Sequence, residues 1–364
     1  MQNKMDFTLS AYKQLISTLQ SQCYFCQTLE EYIQNPKDKV VILRHDVDRL
    51  PGNSLKTALL ENELGIRATY FFRTIPQTFK PEIIKEIAEM GHEIGYHYEN
   101  LSEISKKNPQ ITQIDADYLI SHRRTQTHTD IYPADPSTIS RSYGAGFAGQ
   151  KESSLREKKP ERWRNNPQIT QTRLPLQGTS GQVNADEGKE EFRDEFFELA
   201  IDDFRLNLEK LRKFYPVKTI CMHGSPLSKW DNRDLWKRYD YRDYGVIAEP
   251  YFDLDFDEVF YLTDTGRRWD GDRVSVRDKV NGGTRNSLAQ SRKDAKTKEN
   301  RIRKLRFHST FDIIEAAEKG LLPDKIMINT HPQRWTDNPV EWTKELVWQN
   351  FKNVLKRYLL KFRD

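Results

Sequence analysis

The sequence predicts an α/β fold built on a parallel β-sheet, either open or closed into a barrel, from three observations. Short apolar and largely β-branched segments alternate with amphipathic helical segments along the chain, which is the order of repeated strand–helix units. The first two strand-like segments, residues 40–44 and 68–72, are mostly apolar, as strands buried on both faces are. Several of these segments end on or beside a histidine.

The first half of the chain is predicted to contain three strands and three helices. The strands are residues 40–44, 68–72 and 93–96, and the helices are residues 8–21, 54–64 and 81–90. The third helix has Pro81 in its first turn and Gly91 just past its end, where these residues favour helix boundaries. The first strand leads into Asp46 and Asp48, and the third strand ends on His97.

The second half of the chain continues the alternation. Strands are predicted at residues 217–222, 245–248, 259–262 and 325–329, and helices at residues 192–214, 311–319 and 341–360. The strand 217–222 ends on His223, and the last strand ends near His331. These two histidines therefore occupy the same kind of position as His97.

Two polar segments, residues 121–190 and 281–306, interrupt this pattern. In the first, 15 of 70 residues are apolar, too few to offset the entropy lost on ordering, so we expect a largely irregular insertion. The second holds nine Lys and Arg against two acidic residues, and we expect a solvated basic loop. It lacks interleaved aromatic residues, so we expect no nucleic-acid partner. We therefore predict a single domain, residues 1–364, that carries two insertions.

Composition excludes several classes of protein. No apolar segment approaches the roughly 18 residues that a membrane helix needs, so we expect no membrane span. The first ten residues lack the basic and apolar regions of a secretory signal, so we expect a cytoplasmic protein. Three cysteines cannot build a disulfide framework. Cys23 and Cys26 have the spacing of a redox or zinc pair, but no second pair accompanies them, and we expect no such function.

Four of the eight histidines lie at or within two residues of the C-terminal end of a predicted strand, and two aspartates share one of these ends. These residues are His45, Asp46, Asp48, His97, His223 and His331. The C-terminal ends of parallel strands meet at one edge, where α/β proteins build their sites. Aspartate and histidine side chains there suit a divalent metal such as zinc.

Three of these strand ends carry motifs that resemble those of the polysaccharide deacetylase, or NodB-like, superfamily of carbohydrate esterases. The motifs are His45-Asp46-Val47-Asp48, Gly91-His92-Glu93-Ile94-Gly95-Tyr96-His97 and Thr330-His331-Pro332. The second string is the most specific, and the order and spacing of the other two agree with it. The resemblance spans Val40 to His331 without the insertions. It implies a distorted parallel (β/α) barrel of about seven strands.

The resemblance also implies metal-assisted hydrolysis of an N-acetyl, or sometimes O-acetyl, group on a sugar. A divalent ion, for which zinc is the first candidate, would lower the pKa of water and polarise the acetyl carbonyl. By resemblance, Asp46 matches the catalytic base and His331 matches the acid that protonates the leaving amine. Asp48 and His97 match metal ligands.

The chain departs from the family pattern at two positions. Val47 separates two carboxylates that are usually adjacent, which resembles a divergent Asp-x-Asp branch. Leu101 stands where a second metal-binding histidine is usual. The third ligand is then His223 or Glu99, and we prefer His223 because it arrives from a separate strand end and imidazole suits zinc. We expect His92 to orient its strand internally.

Residues that follow the predicted strand ends are candidates for contact with a sugar ring. They are Arg268, Arg334 and Trp335, which offer planar polar groups and an aromatic face. The expected partner is an acetylated carbohydrate, and the missing signal favours a nucleotide-linked, lipid-linked or small soluble substrate. Two alternatives stay open, a metal-free hydrolase of another non-peptide carbon–nitrogen bond and a non-catalytic carbohydrate-binding protein. Nothing in the sequence indicates the oligomeric state.

Overall fold

A computed structural model of the protein describes residues 5–108, 185–226, 228–269 and 305–361. The strands are β1 (Phe25–Gln27), β2 (Val40–Val47), β3 (Thr69–Phe72), β4 (Glu93–Tyr98), β5 (Ile220–Met222), β6 (Phe260–Thr263) and β7 (Lys325–Thr330). The helices are α1 (Leu9–Ser21), α2 (Leu29–Gln34), α3 (Pro51–Glu63), α4 (Pro81–Glu89), α5 (Asn100–Lys107), α6 (Ala185–Arg212), α7 (Pro250–Asp253), α8 (Thr310–Glu318) and α9 (Pro339–Lys361). Short 3₁₀ helices cover Asn232–Lys237, Tyr241–Tyr244 and Pro332–Arg334.

All seven strands form one curled parallel sheet in the order β5-β4-β3-β2-β7-β6, and β1 pairs with β2 beside β3. β2 is buried along its whole length, because it pairs with β7 on one side and with β1 and then β3 on the other. The predicted α/β class and parallel sheet are thus confirmed. In the described residues the sheet is a half-barrel whose two edge strands are β5 and β6. No hydrogen-bonded pairing between these two strands is present there, so closure into a full barrel is not shown.

Most predicted elements are confirmed to within a few residues. The strand predicted at 245–248 is reduced to a single parallel bridge between Thr219 and Ala248. The sequence does not predict β1, α2, α5 or α7. β1, α2 and α7 are only three, six and four residues long, and α5 starts with the buried polar residue Asn100. Strand patterns need at least about four residues to stand out.

Successive side chains of β2 point to opposite faces of the sheet, which divides the core into two layers. Val40 and Ile42 face the inside of the half-barrel, while Val41 and Leu43 face the helices on its outside. The inner apolar cluster consists of Leu29, Tyr32, Val40, Ile42, Phe71, Cys221, Ala248, Leu254, Val259 and Met327. Because side chains alternate with a period of two, the next inward-facing positions on β2 are Arg44 and Asp46. The inner apolar cluster therefore forms the floor under the C-terminal rim of the sheet.

Residues 1–112 and 192–364 form one compact unit, to which all seven strands belong, and residues 113–191 form another. The predicted insertion 121–190 lies outside the described residues except for the first turns of α6, and 281–306 does so except for Leu305 and Arg306. No helix within the described ranges has the length and apolar character needed to cross a membrane.

Gly95 lets β4 approach the floor of the half-barrel. A Cβ at this position would overlap the ring of Phe71 and lie 3.1 Å from the carbonyl oxygen of Thr219. Phe71 is fully buried, so its ring could move only by displacing neighbouring core side chains. Gly95, two residues before His97 in the second motif, therefore has a packing role.

We predict that Gly95→Ala lowers the free energy of unfolding by about 1–3 kcal/mol, the usual cost of overpacking. Gly52→Ala in α3 is the control, because a Cβ there meets nothing within 4 Å and should cost nothing. Urea unfolding of both variants measures the difference. Equal stabilities would contradict the close packing at Gly95.

Candidate active site

The C-terminal ends of five strands bring the candidate residues to one rim. Asp48 follows β2, His97 lies near the end of β4, His223 follows β5, Asp264 follows β6 and His331 follows β7. All five positions are at the same edge because every pair of strands is parallel. The structure therefore assembles the predicted cluster from residues that are up to 283 positions apart.

Three histidines surround the carboxylate of Asp48. Its Oδ1 atom lies 3.5 Å from Nε2 of His97 and 3.5 Å from Nε2 of His223, and its Oδ2 atom lies 3.7 Å from Nε2 of His331. Burial raises the pKa of Asp48, but the charges of His223 and the other two histidines outweigh it and hold the pKa well below its usual range. Oδ1 is buried and accepts no hydrogen bond from any group in the described part of the chain.

The other ring nitrogens of two histidines have fixed partners. Nδ1 of His97 lies 2.9 Å from the carbonyl oxygen of Cys221. Nδ1 of His223 lies 3.1 Å from Oε2 of Glu99 and 2.9 Å from the hydroxyl of Ser225. A carbonyl and a carboxylate can only accept, so both rings carry a proton on Nδ1 and direct Nε2 at Asp48, where loss of the Nε2 proton would free that nitrogen to bind a metal.

Glu99 is held by an arginine. Its Oε1 atom accepts from Arg73 Nε at 2.6 Å, while its Oε2 atom faces His223. Burial raises the pKa of Glu99, but His223 and Arg73 lower it more, to about 2. Glu99 therefore positions His223. Leu101, where the family has a histidine, is fully buried in the apolar core.

Asp46 is bound by a buried arginine on its own strand. Arg44 donates to both carboxylate oxygens at 2.9 and 2.7 Å, and Asn329 adds a hydrogen bond of 3.1 Å to Oδ2. Burial raises the pKa of Asp46, but Arg44, followed by His97 and His331, lowers it far below its usual range. Asp46 is thus ionised, and Oδ2 lies 4.0 Å from Nε2 of His331.

Asp264 supports His331. Its Oδ1 atom lies 2.6 Å from Nδ1 of His331 and accepts from Arg334 at 2.6 Å, while Oδ2 accepts from the indole of Trp335 at 2.8 Å. Asp264 has no exposed surface. Since the carboxylate accepts from Nδ1, His331 presents Nε2 to Asp46 and Asp48.

The predicted sugar contacts occupy different environments. Trp335 is only 2 % exposed and packs against Phe7 and Trp269. Arg334 is also buried, whereas Arg268 is exposed. In the described structure Trp335 and Arg334 hold Asp264, and contact with a sugar stays a prediction for all three residues.

Two further histidines of the motifs do not face the site. His45 lies on the outer face of β2, where its ring nitrogens contact Thr330 and Glu61 at 2.6 and 2.8 Å. His45 and Asp46 are consecutive, so they point to opposite faces of the sheet. His92 bridges the backbone of Ala68 and Ala58, in agreement with the internal role expected from the sequence.

A second trio of possible metal ligands overlaps the first. One ligand atom each of Asp46, His97 and Cys221 lies within 4.8 Å of the others. Both oxygens of Asp46 already accept from Arg44, however, whereas Oδ1 of Asp48 has no such partner in the described residues. Asp48, His97 and His223 therefore offer the better donor set.

Sequence reasoning missed Arg44, Asn329 and Asp264. The rule that sites follow strand ends applies to Asp264, which comes directly after β6. Arg44 and Asn329 lie inside strands, at paired positions of β2 and β7. Only the observed register shows that both reach Asp46.

None of the comparisons with family models, curated proteins and solved structures finds a match for this chain. The resemblance to NodB-like deacetylases therefore remains a hypothesis that rests on short motifs at three strand ends. The function has to be inferred from the arrangement of the chain's own side chains.

Glu249 is a further buried carboxylate near the site. Its oxygens accept from the backbone N–H groups of Met222 and Tyr251 at 3.1 and 2.6 Å. Burial raises its pKa to about 7, although these hydrogen bonds lower it. The folded protein therefore keeps this proton at pH values where the unfolded chain has lost it.

We predict that Glu249 makes the free energy of unfolding fall as the pH rises from about 4.5 to about 7. The unfolded chain binds fewer protons than the folded protein across this window, so stability decreases as the pH rises. The free energy of unfolding falls by about 3 kcal/mol in total. Urea unfolding at several pH values should show the slope in the wild type and lose it in Glu249→Gln. The exposed Glu318→Gln variant should keep it. Parallel wild-type and Glu249→Gln curves would contradict this prediction.

Proposed function

We propose that the protein is a metal-dependent hydrolase that removes an acetyl group, most readily an N-acetyl group, from a sugar. One observation carries the proposal. Asp46, Glu99 and Asp264 each bind an arginine, namely Arg44, Arg73 and Arg334. The carboxylate of Asp48 forms ion pairs only with histidines among the described residues, and its Oδ1 atom is buried without a hydrogen bond.

The donor set around Asp48 fits a divalent ion such as zinc. Zinc takes carboxylate oxygen and imidazole nitrogen at about 2.0–2.2 Å in a tetrahedral arrangement. Ligand atoms are then about 3.4 Å apart, and two of the three separations are close to this value, 3.5 Å from Asp48 Oδ1 to Nε2 of His97 and 3.5 Å to Nε2 of His223. Asp48, His97 and His223 would hold the ion. A protein that supplies three ligands leaves a position for water or substrate, as catalytic zinc sites do.

Asp46 is proposed to orient the attacking water and accept its proton. Arg44 and Asn329 hold the carboxylate in place, and the low pKa keeps it ionised. A carboxylate of low pKa is a weak base. A bound divalent ion would lower the pKa of a water molecule and polarise the acetyl carbonyl, so that a weak base is sufficient.

His331 is proposed to protonate the leaving nitrogen. Its Nε2 atom lies 4.0 Å from Asp46 and 3.7 Å from Asp48, on the side of the cluster formed by β7. Asp264 accepts from Nδ1 at 2.6 Å, which fixes the orientation of the ring. Base and acid thus stand side by side at the rim.

The Asp264–His331 pair also supports the metal-free alternative, because a histidine oriented by a buried carboxylate can act as a general base without a metal. The two proposals differ in their dependence on an ion. Hydrolysis of a non-peptide carbon–nitrogen bond that survives thorough metal removal would favour the metal-free hydrolase.

For the catalytic groups, we predict that Asp46→Asn abolishes acetate release from a panel of N-acetyl sugars and leaves the fold intact by circular dichroism. His331→Gln should slow N-acetyl hydrolysis by about 10²–10⁴-fold. It should slow hydrolysis of an aryl acetate much less, because that leaving group needs no proton. Unchanged acetate release in Asp46→Asn would overturn the assignment of the base.

For the metal site, we predict one divalent ion per chain in carefully purified protein, measured by elemental analysis. Asp48→Asn and His223→Ala should each lose most of it, since each removes a proposed ligand. The exposed histidine variant His308→Ala, outside the cluster, should keep it. Wild-type protein that binds no ion when zinc is supplied would argue against the metal-dependent function.

A further inference from the structure

Helix α9 has its apolar side turned to solvent. Five large apolar side chains of this helix are between 47 % and 64 % exposed. They are Val340, Val347, Trp348, Phe351 and Val354. Spacings of 7 and 11 residues correspond to about two and three helical turns, so Val340, Val347 and Phe351 share one stripe. We call these five residues the apolar stripe of α9.

The opposite side of α9 is polar and packs onto the loops of the candidate site. Glu345 pairs with Arg49 at 2.5 Å, and Asn353 donates to the carbonyl oxygen of Gly266 at 3.0 Å. Arg49 follows Asp48 directly, and Gly266 is two residues after Asp264. These polar contacts fix the rotation of α9 about its own axis. The apolar stripe therefore faces solvent.

The net charge of this part of the sequence is positive. Residues 339–364 contain six Lys and Arg against Glu341, Glu345 and Asp364, and Glu345 is already paired with Arg49. Lys352 lies over the ring of Trp348 at 5.6 Å, and this ring stacks on Phe351. Exposed Trp and Phe flanked by basic residues are the features of helices that lie in the interface of an anionic membrane.

We infer that α9 docks the protein onto an anionic membrane surface, with the apolar stripe in the headgroup layer. A second copy of the chain suits the stripe less, because it would bring the same excess of basic residues against it. The loops held by α9 carry Asp48 and Asp264, so docking places the rim beside the bilayer. If the proposed function holds, the acetylated sugar is lipid-linked; this last step alone rests on that function.

Co-sedimentation of the full chain with vesicles tests docking without any turnover. We expect binding to vesicles of phosphatidylcholine with phosphatidylserine, weaker binding to phosphatidylcholine alone, and a decrease with salt. Trp348→Glu/Phe351→Glu should weaken binding by about tenfold or more, and Lys344→Glu/Lys352→Glu should weaken it on the anionic vesicles. Leu206→Glu is the control, because Leu206 is an equally exposed apolar residue on α6.

Two results would overturn the inference. The first is a wild-type protein that binds neither vesicle, or binds as well after the change at Trp348 and Phe351. The second is a dimer in analytical ultracentrifugation that this double change converts to a monomer, because a second copy would then cover the apolar stripe. Hydrolysis of soluble acetyl-sugars is measured separately, so failure of docking and failure of the proposed activity are distinguishable.

Discussion

The rim of the sheet is organised by the need to compensate carboxylate charge away from water. Burying an ionised carboxylate without a partner is costly, and four of them converge here. Arg44, Arg73 and Arg334 compensate three of the four. Asp48 is left with three histidines and one buried oxygen that no described group satisfies. Glu99 and Asp264 each orient a histidine, and Asp48 is the carboxylate at which we propose that a cation binds.

The parallel sheet makes this concentration of charge possible. β2 contributes Arg44 and Asp46 to its inner face and Asp48 to the loop that follows, while its N-terminal half forms the apolar floor. Polar residues thus begin where the inner apolar cluster ends. The outer face has its own buried carboxylate, Glu61, which accepts from Tyr12 and Tyr70 and contacts His45.

Much of this arrangement could be predicted from the sequence, and the exceptions have physical reasons. The positions of His97, His223 and His331 followed from strand ends, because parallel strands bring such ends together whatever their distance along the chain. His45 has the same position in sequence but faces outward, since side chains alternate across a strand. The local sequence therefore places a residue at the rim, but which residues meet depends on register and face.

The partners of the site residues were the hardest to predict. In the sequence, Arg44 is the polar end of a predicted strand, and Glu99 is an alternative metal ligand. In the structure, Arg44 compensates the charge of Asp46, and Glu99 orients His223. Trp335 has the type of a sugar-stacking residue, yet its indole donates to Asp264 in the core. Residue type alone does not separate a group that meets substrate from one that holds such a group.

The central claim is that a divalent ion belongs between Asp48, His97 and His223. Anomalous diffraction at the zinc absorption edge, from crystals of the full chain grown with zinc, tests it most directly. The account predicts one peak at about 2.0–2.2 Å from Oδ1 of Asp48 and from Nε2 of both histidines. A peak bounded by Asp46 and Cys221, or no peak at the rim, would contradict it.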